Sequence, residues 1–309
     1  MINLNLNTEP TVESAPSNVT PTKTIADYAI TYKMSVTCFN PTKQSASVKS
    51  ASAAKYNCKA SKFTGTIHMI DEEFTHALTS KVREIRRFFD TNTLRLSMSN
   101  IIPSGNFWRV SDYVTKEGDK FDILKDDFCA RWESEIKPKS LQNLGALAYD
   151  PQIVKMAMWS YTEDQLRERI YFEFGKGTMG DPSTVANLSG LTEDLKAGIE
   201  EDMRKELAEL DKEATAEVTR RLRKVLQDFV TKFKGLKENS RLHDSILTNI
   251  GDIASMIPSL IVNDDPTLIE LASEASLLAN WDASILKENE GARKEALTTA
   301  QSILNKMSL

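Results

Sequence analysis

The longest regular pattern of apolar positions lies in the second half of the chain. Apolar side chains recur every three or four residues from Leu195 to Phe233, and charged residues fill most positions between them. This spacing is typical of one face of an α-helix. At 1.5 Å per residue the helix would be roughly 60 Å long, and its apolar stripe would need a covering partner. Further helices near 241–256, 266–280 and 287–307 can cover it, which predicts an elongated antiparallel helical bundle or coiled coil.

We also expect this stripe to carry the interactions of the protein with other copies of itself. A long helix with one continuous apolar face commonly pairs with a second helix, so the pattern favours a homo-oligomer. The stripe positions that carry this prediction are Leu207, Leu210, Val218, Leu222 and Phe229.

Farther along, Asp265 and Pro266 form a helix start, a capping carboxylate followed by proline at the first helical position. Pro258 is expected to end the helix before it.

The first half of the chain contains apolar residues at both strand-like and helix-like spacings. The run from Ile25 to Phe39 alternates apolar and polar residues, with Ile30, Tyr32, Met34 and Val36 on one face, and therefore predicts a strand. The remaining elements are predicted in chain order: a weaker strand around 55–63, an amphipathic helix over 70–89, an irregular stretch over 91–116, a helix over about 117–136 ended by Pro138, short helices over 139–147, 151–158 and 162–169, a strand through Ile170, Phe172 and Phe174, and a loop over 175–189.

These patterns together predict a mainly α protein with a small α+β amino-terminal part. Residues 1–24 are rich in Asn, Thr, Pro and Ser and read as a flexible tail, because they cannot bury enough apolar surface to offset ordering. A mixed α+β head domain is expected over 25–189. The long-helix bundle follows over 190–309.

Composition supports the helical prediction and indicates the cellular compartment of the protein. The chain has only 12 Gly and 10 Pro in 309 residues, below the usual share of roughly 12%, so long uninterrupted elements are favoured over propellers, sandwiches and most α/β enzymes. Its 3 cysteines form no C-x-x-C pair, so no disulfide framework is expected. No run reaches the ~18 apolar residues of a membrane span, and no signal peptide is visible. We predict a soluble cytoplasmic protein without membrane contact.

The net charge of −5 conceals an uneven distribution. Between Tyr28 and Arg109 twelve basic and five acidic residues give +7, and residues 110–309 carry −10. A chain divided in this way can meet a polyanion with one part. The candidate nucleic-acid-binding residues are Lys43, Lys49, Lys55, Lys59, Lys62, Arg83, Arg86 and Arg87. The alternative is a solvated segment that docks on the acidic half of a neighbouring copy or a partner protein.

Two motifs are candidates for a phosphate-binding or metal-binding site. Gly175 to Gly180 match G-x-G-x-x-G, but the preceding run is half polar and no helix start follows, so a flexible connector is favoured over a phosphate-binding loop. His68, Glu72 and His76 could share a helix face and bind a metal, although such spacings are common on solvated helices. We predict no catalytic residues, no cofactor and no metal site.

A short pattern of residues near the end of the chain has a known counterpart. It comprises a helix, a proline and an Asn-Asp-Asp-Pro turn, at Asp244, Ser245, Asn249, Ile250, Pro258, Asn263, Asp264, Asp265 and Pro266. The segment 241–278 resembles the end of a phage and bacterial domain-of-unknown-function family, whose genes often sit beside MoxR-type AAA+ ATPases. The resemblance implies an adaptor or substrate of such a remodelling ATPase, and it brings no catalytic residues with it.

The expected function is therefore that of a non-enzymatic interaction or adaptor protein. Its partner would be a protein, with a MoxR-type AAA+ ATPase as the first candidate, and it would self-associate through the long helix. A phage DNA-metabolism protein that binds nucleic acid through the basic segment is the alternative. A virion or assembly component is a second alternative, compatible with long helices but without support from individual residues.

Overall fold

The fold is that of a mostly helical protein with a small antiparallel sheet near its amino-terminal end. The computed structural model describes residues 24–38, 42–44, 46–55, 57–59, 61, 66–234, 245–263 and 265–307. Three quarters of these residues are helical. The predicted fold class is confirmed, including the long helix in the second half. The flexible tail predicted for 1–24 lies, except for Thr24, outside the described residues.

The elements follow each other in this order. The strands are β1 (Ala29–Thr37), β2 (Thr42–Gln44), β3 (Thr66–His68), β4 (Leu94–Arg95), β5 (Asn100–Pro103) and β6 (Tyr171–Gly177). The helices before the long one are α1 (Ile25–Tyr28), α2 (Ala46–Lys55), α3 (Glu72–Asn92), α4 (Phe107–Ala130), α5 (Lys137–Leu144), α6 (Pro151–Val154) and α7 (Glu163–Arg169). The long helix and those after it are α8 (Glu193–Lys234), α9 (Ser245–Leu260), α10 (Pro266–Ala279), α11 (Ala283–Glu288) and α12 (Glu290–Lys306).

The sheet of the head has four antiparallel strands in the order β4-β5-β1-β6. In β1, Ile30 pairs with Ile102 of β5, and Met34 pairs with Phe174 of β6. The predicted apolar face of β1 packs on the core beneath α3 and α4, because successive side chains of a strand point to opposite faces. Tyr32 lies at the centre of that core, with ring centroids 5.4 Å from Phe89 and 6.1 Å from Phe174.

The bundle core is built along α8, with α9 and α12 packed directly against it. The predicted stripe positions are buried in this core, with exposures of 6% for Leu207, 5% for Leu210, 1% for Val218, and 0% for Leu222 and Phe229. The chain therefore covers these five residues with its own helices. Self-association through these five residues stays a prediction, and it would require the bundle to open, because their side chains are not accessible to another copy.

The sheet belongs to both cores. Ala29, Leu94 and Ile101 pack into the bundle core, on the sheet face opposite to α3 and α4, and Ile25 of α1 joins them there. The turn before α4 also touches α9, where a Cβ on Gly105 would lie 3.1 Å from the backbone of Ser259. The head is thus joined to the bundle through a packed apolar interface.

Several predicted boundaries differ from the observed ones. β1 starts at Ala29, after the short helix α1, and α4 starts at Phe107, inside the stretch 91–116 that was expected to be irregular. Pro103 lies before α4 and does not interrupt it. Pro138 lies in the first turn of α5, after a π-helical turn, and does not end a helix; proline is tolerated there because the amide N–H it lacks is not needed.

Two further expectations also fail. The described residues between Lys55 and Phe63 form no strand; a helix, α2, occupies Ala46–Lys55. The Ser- and Ala-rich residues of this segment carry too little apolar periodicity to distinguish a strand from a helix. Pro258, which was expected to end a helix, lies inside α9, and α9 ends two residues later at Leu260.

Candidate functional site

The long helix is fixed to the head by polar contacts on one side of the sheet. Arg221 donates to the main-chain oxygens of Thr91 at 3.3 Å and Thr93 at 2.9 Å, at the carboxyl end of α3. Glu213 accepts hydrogen bonds from the backbone and hydroxyl of Ser97 at 3.0 and 2.6 Å. These contacts set the position of α8 relative to the loop between β4 and β5.

A cleft of about 240 Å³ opens beside these contacts, between the sheet and α8. We call it the Met cleft, because three of its lining side chains are methionines from three separate segments. It is lined by Thr31, Met98, Ser99, Thr178, Met179, Gly180, Met203, Glu206, Leu207 and Leu210. This volume is below the roughly 300–1,000 Å³ usual for small-molecule sites, so the cleft suits individual apolar side chains better than a whole cofactor.

The stripe of α8 is covered unevenly. From Leu207 onwards its members are buried, except for Val225, which is partly buried. Towards the amino end, Ile199 and Met203 are only partly buried and Leu195 is 51% exposed. Leu188, in the connection before α8, is 48% exposed, and Met98 at the cleft is 66% exposed. We call Leu195, Ile199 and Met203 the open stripe. The open stripe leads directly into the Met cleft through Met203.

The charge of α8 changes sign along its length. Residues 193–217 include ten acids and four bases, a net charge of −6, and residues 218–234 include six bases and one acid, a net charge of +5. This order matches the helix dipole, which favours anions at the amino end and cations at the carboxyl end. The open stripe and the Met cleft therefore lie in the acidic part of the helix.

The predicted nucleic-acid-binding residues fall into two groups. Arg83, Arg86 and Arg87 are exposed on α3, and Arg86 donates to the carbonyl of Val36 at 3.0 Å. Lys49 and Lys55 lie on α2 and Lys59 follows it, whereas Lys62 and the side chain of Lys43 lie outside the described residues. The structure brings the three arginines together beside the end of β1, and it gives no contact that joins them to the lysines.

Within the part of the chain that the structure describes, the three arginines and two of the lysines form no ion pair with a carboxylate. Among the ion pairs of the described residues, none involves Arg83, Arg86, Arg87, Lys49 or Lys59. By contrast, the adjoining contact between α3 and α4 is neutralised by an ion-pair network. There Glu117 accepts hydrogen bonds from Lys120 at 2.7 Å and Lys81 at 2.8 Å, and these two bonds lower the pKa of the Glu117 carboxyl.

Cys38 lies next to the arginines but is held in its thiol form. Burial raises the pKa of the Cys38 thiol, and the charges of Arg86 and Arg83 offset this only in part. Burial also raises the pKa of Cys129, to about 11. Reactive cysteines depend on a lowered pKa, so neither thiol is activated at neutral pH.

Neither the glycine motif nor the His-Glu-His motif forms a binding site in the described part of the chain. Gly175 and Gly177 lie within β6, and the short 3₁₀ turn Pro182–Asn187 follows, so no long helix opens at the end of the motif. His68 is in β3, and only Glu72 and His76 share a helix, 3.8 Å apart on an exposed surface. No cluster of three or more His, Cys, Asp or Glu residues suited to a metal occurs in the described part of the chain.

The predicted helix cap is confirmed. Asp265 accepts hydrogen bonds from the backbone amides of Thr267 and Leu268 at 2.9 and 3.4 Å, and Pro266 is the first residue of α10. Within the same resembling segment, Asn263 donates to Thr215 of α8 at 3.1 Å. These residues hold the α9–α10 turn against the long helix, so their role here is structural; Asp244 and Asp264 lie outside the described residues.

The Met cleft and the open stripe were not foreseen from the sequence. Leu195 and Met203 were recognised only as members of a regular stripe, and Met98 and Met179 had no signal at all, because they lie in irregular segments. Within the described residues, no helix has the length and apolar character that spanning a membrane requires. Comparison with known proteins found no matching family model, no matching curated protein and no matching solved structure.

Proposed function

We propose that this protein is a non-enzymatic interaction protein that binds a protein partner through the open stripe and the Met cleft. The cytoplasm of a bacterium, or of a phage-infected cell, is the proposed compartment. The first candidate partner is a MoxR-type AAA+ ATPase, on the strength of the resemblance in residues 241–278. The Asp265 cap and the α9–α10 turn lie within that segment.

One observation carries the proposal. A single stripe on one helix is mostly buried from Leu207 to Phe233 and is left more open at its amino end, where Leu195 is 51% exposed and Ile199 and Met203 are only partly buried. Contiguous apolar surface that continues into a cleft is typical of protein interaction sites. If the chain also self-associates through its long helix, the open stripe is the part still available for that contact.

Co-purification tests the proposal. The tagged chain is expressed with an untagged MoxR-type AAA+ ATPase from the same genome, and the eluate is separated by size exclusion. We expect one complex that Leu195→Gln weakens. Leu277→Gln is the matched control, because Leu277 is 68% exposed on α10, away from the cleft. A chain that stays monomeric alone and retains no protein partner would contradict the proposal.

Nucleic-acid binding by the head is the second candidate. The observation that favours it is the group Arg83, Arg86 and Arg87, which makes no ion pair with a carboxylate among the described residues. Exposed cations without partners attract phosphates, and each phosphate contact steepens the dependence of affinity on salt.

A salt titration with labelled single- and double-stranded DNA tests this second candidate. Affinity should fall with a log–log slope of roughly −0.7 to −0.9 per phosphate contact. Arg83→Glu with Arg87→Glu should weaken binding and flatten the slope. Lys224→Glu with Lys232→Glu, two exposed lysines on α8, should leave both unchanged. Absence of binding at low salt would dismiss the candidate.

A further inference from the structure

We propose that the open stripe and the Met cleft accept one amphipathic helix of the partner, apolar on one side and basic along its flanks. This inference rests on the proposed function and specifies the chemistry of the partner. It assigns one occupant to a surface whose shape, lining and charge can each be read from the structure.

A helix fits because two helices of the chain already pack along the buried part of the same stripe; the short 3₁₀ turn Pro182–Asn187 also packs on α8. α9 and α12 pack on α8 where the stripe is buried, and the open stripe continues at the same spacing of four residues from Leu195 to Met203. From Leu195 to Leu210 the distance along α8 is about 22 Å, at 1.5 Å per residue. A partner helix of about four turns would therefore continue the helical layer that α9 and α12 form.

The lining of the cleft suits apolar side chains of a partner. Met98, Met179 and Met203 are unbranched and flexible, so they can adapt to side chains of different shapes. Gly180 makes room for one of them, since a Cβ there would lie 2.7 Å from the terminal methyl of Met203. The volume of about 240 Å³ is suited to one or two large apolar side chains of the partner.

Charge selects a basic helix. Residues 193–217 carry a net charge of −6. Among the described residues, Asp194 and Glu206 form no ion pair, and Glu206 lines the cleft itself. Lysine or arginine beside the apolar stripe of the partner would meet these carboxylates. Nucleic acid and anionic lipid would be repelled by the same surface, which favours a protein occupant over either of them.

Gly198 supports close approach of a second helix. It lies within α8, three residues after Leu195, and a Cβ at this position would meet no atom within 4 Å. Glycine weakens a helix relative to alanine, and no neighbour among the described residues requires it here. The absence of a side chain beside the open stripe would allow the backbone of a partner helix to approach α8 closely.

The experiment uses the full chain and a synthetic probe. The probe is a fluorescent peptide of about 18 residues, with leucine at helical spacing and lysine elsewhere. A second peptide has the same composition in shuffled order, and a third replaces every lysine with glutamate. Fluorescence anisotropy should show that the ordered lysine peptide binds and that the other two bind at least about tenfold more weakly.

Variants locate the binding site. Leu195→Gln and Glu206→Lys should each weaken binding of the ordered peptide by about tenfold, whereas Leu277→Gln and Glu290→Lys, which change exposed residues elsewhere, should not. Gly198→Leu should weaken binding without lowering the unfolding midpoint, so a loss caused by misfolding is recognisable.

Two results would overturn the inference. One is equal binding of the ordered and shuffled peptides; the other is equal binding by the Leu195→Gln and Leu277→Gln variants. The proposed function is decided separately by co-purification. A partner that is retained, and lost on Leu195→Gln, alongside a peptide that does not bind would leave the function standing and refute only the basic-helix occupant.

Discussion

Arg221 of the long helix caps the carboxyl end of α3 by donating a hydrogen bond to the carbonyl of Thr93 at 2.9 Å. Its guanidinium is held in place by Glu217, whose carboxylate lies 2.9 Å from Nε. The side chains of Arg221 and Glu217 are only 14% and 17% exposed. A cation at the end of a helix interacts favourably with the helix dipole, and here that interaction also joins the bundle to the head.

Replacing Arg221 with methionine should therefore destabilise the protein. The variant loses charge-assisted hydrogen bonds to Thr91 and Thr93, and we expect the free energy of unfolding to fall by about 2–3 kcal/mol. Urea denaturation followed by circular dichroism measures the change. Arg220→Met is the control, because Arg220 is exposed and, among the described residues, forms an ion pair with Glu217 alone. Equal losses in the two variants would show that the contact with α3 is unimportant.

The uneven covering of the stripe predicts a larger loss of stability from a substitution at its middle than from one at its amino end. Leu222→Ala removes a fully buried side chain and should cost about 2–5 kcal/mol of stability. Leu195→Ala changes a half-exposed residue and should cost less than about 1 kcal/mol. Thermal or urea unfolding of both variants measures the difference. Similar costs at the two positions would mean that the amino end of α8 is covered as fully as its middle.

The glycine within α8 offers a stabilising change. Gly198→Ala should raise the free energy of unfolding by about 0.5–1 kcal/mol, because alanine restricts the unfolded chain and favours the helix. The space around the position is open, so no clash opposes the gain. A lower thermal midpoint in Gly198→Ala than in the unchanged chain would contradict this description of α8.

Asp265 should contribute to stability through its cap. Asp265→Ala removes the acceptor for the amides of Thr267 and Leu268, at a cost of about 1 kcal/mol. Asp265→Ser retains a capping oxygen and should recover most of the loss. Comparing the urea midpoints of the two variants isolates the cap; equal midpoints would indicate that the cap contributes nothing measurable.

The network around Glu117 predicts a pH dependence. The hydrogen bonds from Lys120 and Lys81 lower the pKa of Glu117 in the folded state, so the unfolded state binds its proton more readily. This contribution to stability is fully present above the unfolded pKa of about 4.3 and is lost as pH falls through the lower folded pKa.

Glu117→Gln should therefore lose less of its stability than the unchanged chain as pH falls below about 4.3. Urea midpoints measured at neutral pH and at several acidic values follow this difference. Glu288→Gln removes an exposed carboxylate that forms no ion pair in the described part of the chain and should follow the unchanged chain. Parallel acid profiles for the Glu117→Gln variant and the unchanged chain would refute the assignment.

The sequence predicted well those elements whose signal is local and long. The stripe from Leu195 to Phe233 indicated α8 to within a few residues of its bounds, Glu193–Lys234, because an apolar residue every three or four positions over such a length fits only a helix. The Asp265–Pro266 cap was predictable for the same reason, since capping depends on adjacent residues. Elements such as β4 and β5 were missed because two to four residues are too few to establish a period.

The sequence by itself determined that the protein is mainly helical, and it determined which face of α8 and of β1 is apolar. Only the tertiary structure decided what each part of those faces contacts. Burial depends on residues far apart in the chain: Leu222 is fully buried in the core where α9 and α12 pack on α8, Leu195 is left 51% exposed, and the Met cleft is formed by residues from Thr31 to Leu210. The spacing of apolar residues shows which of them share a face of a helix or strand. Tertiary packing decides whether that face is buried by the chain or stays exposed to a partner.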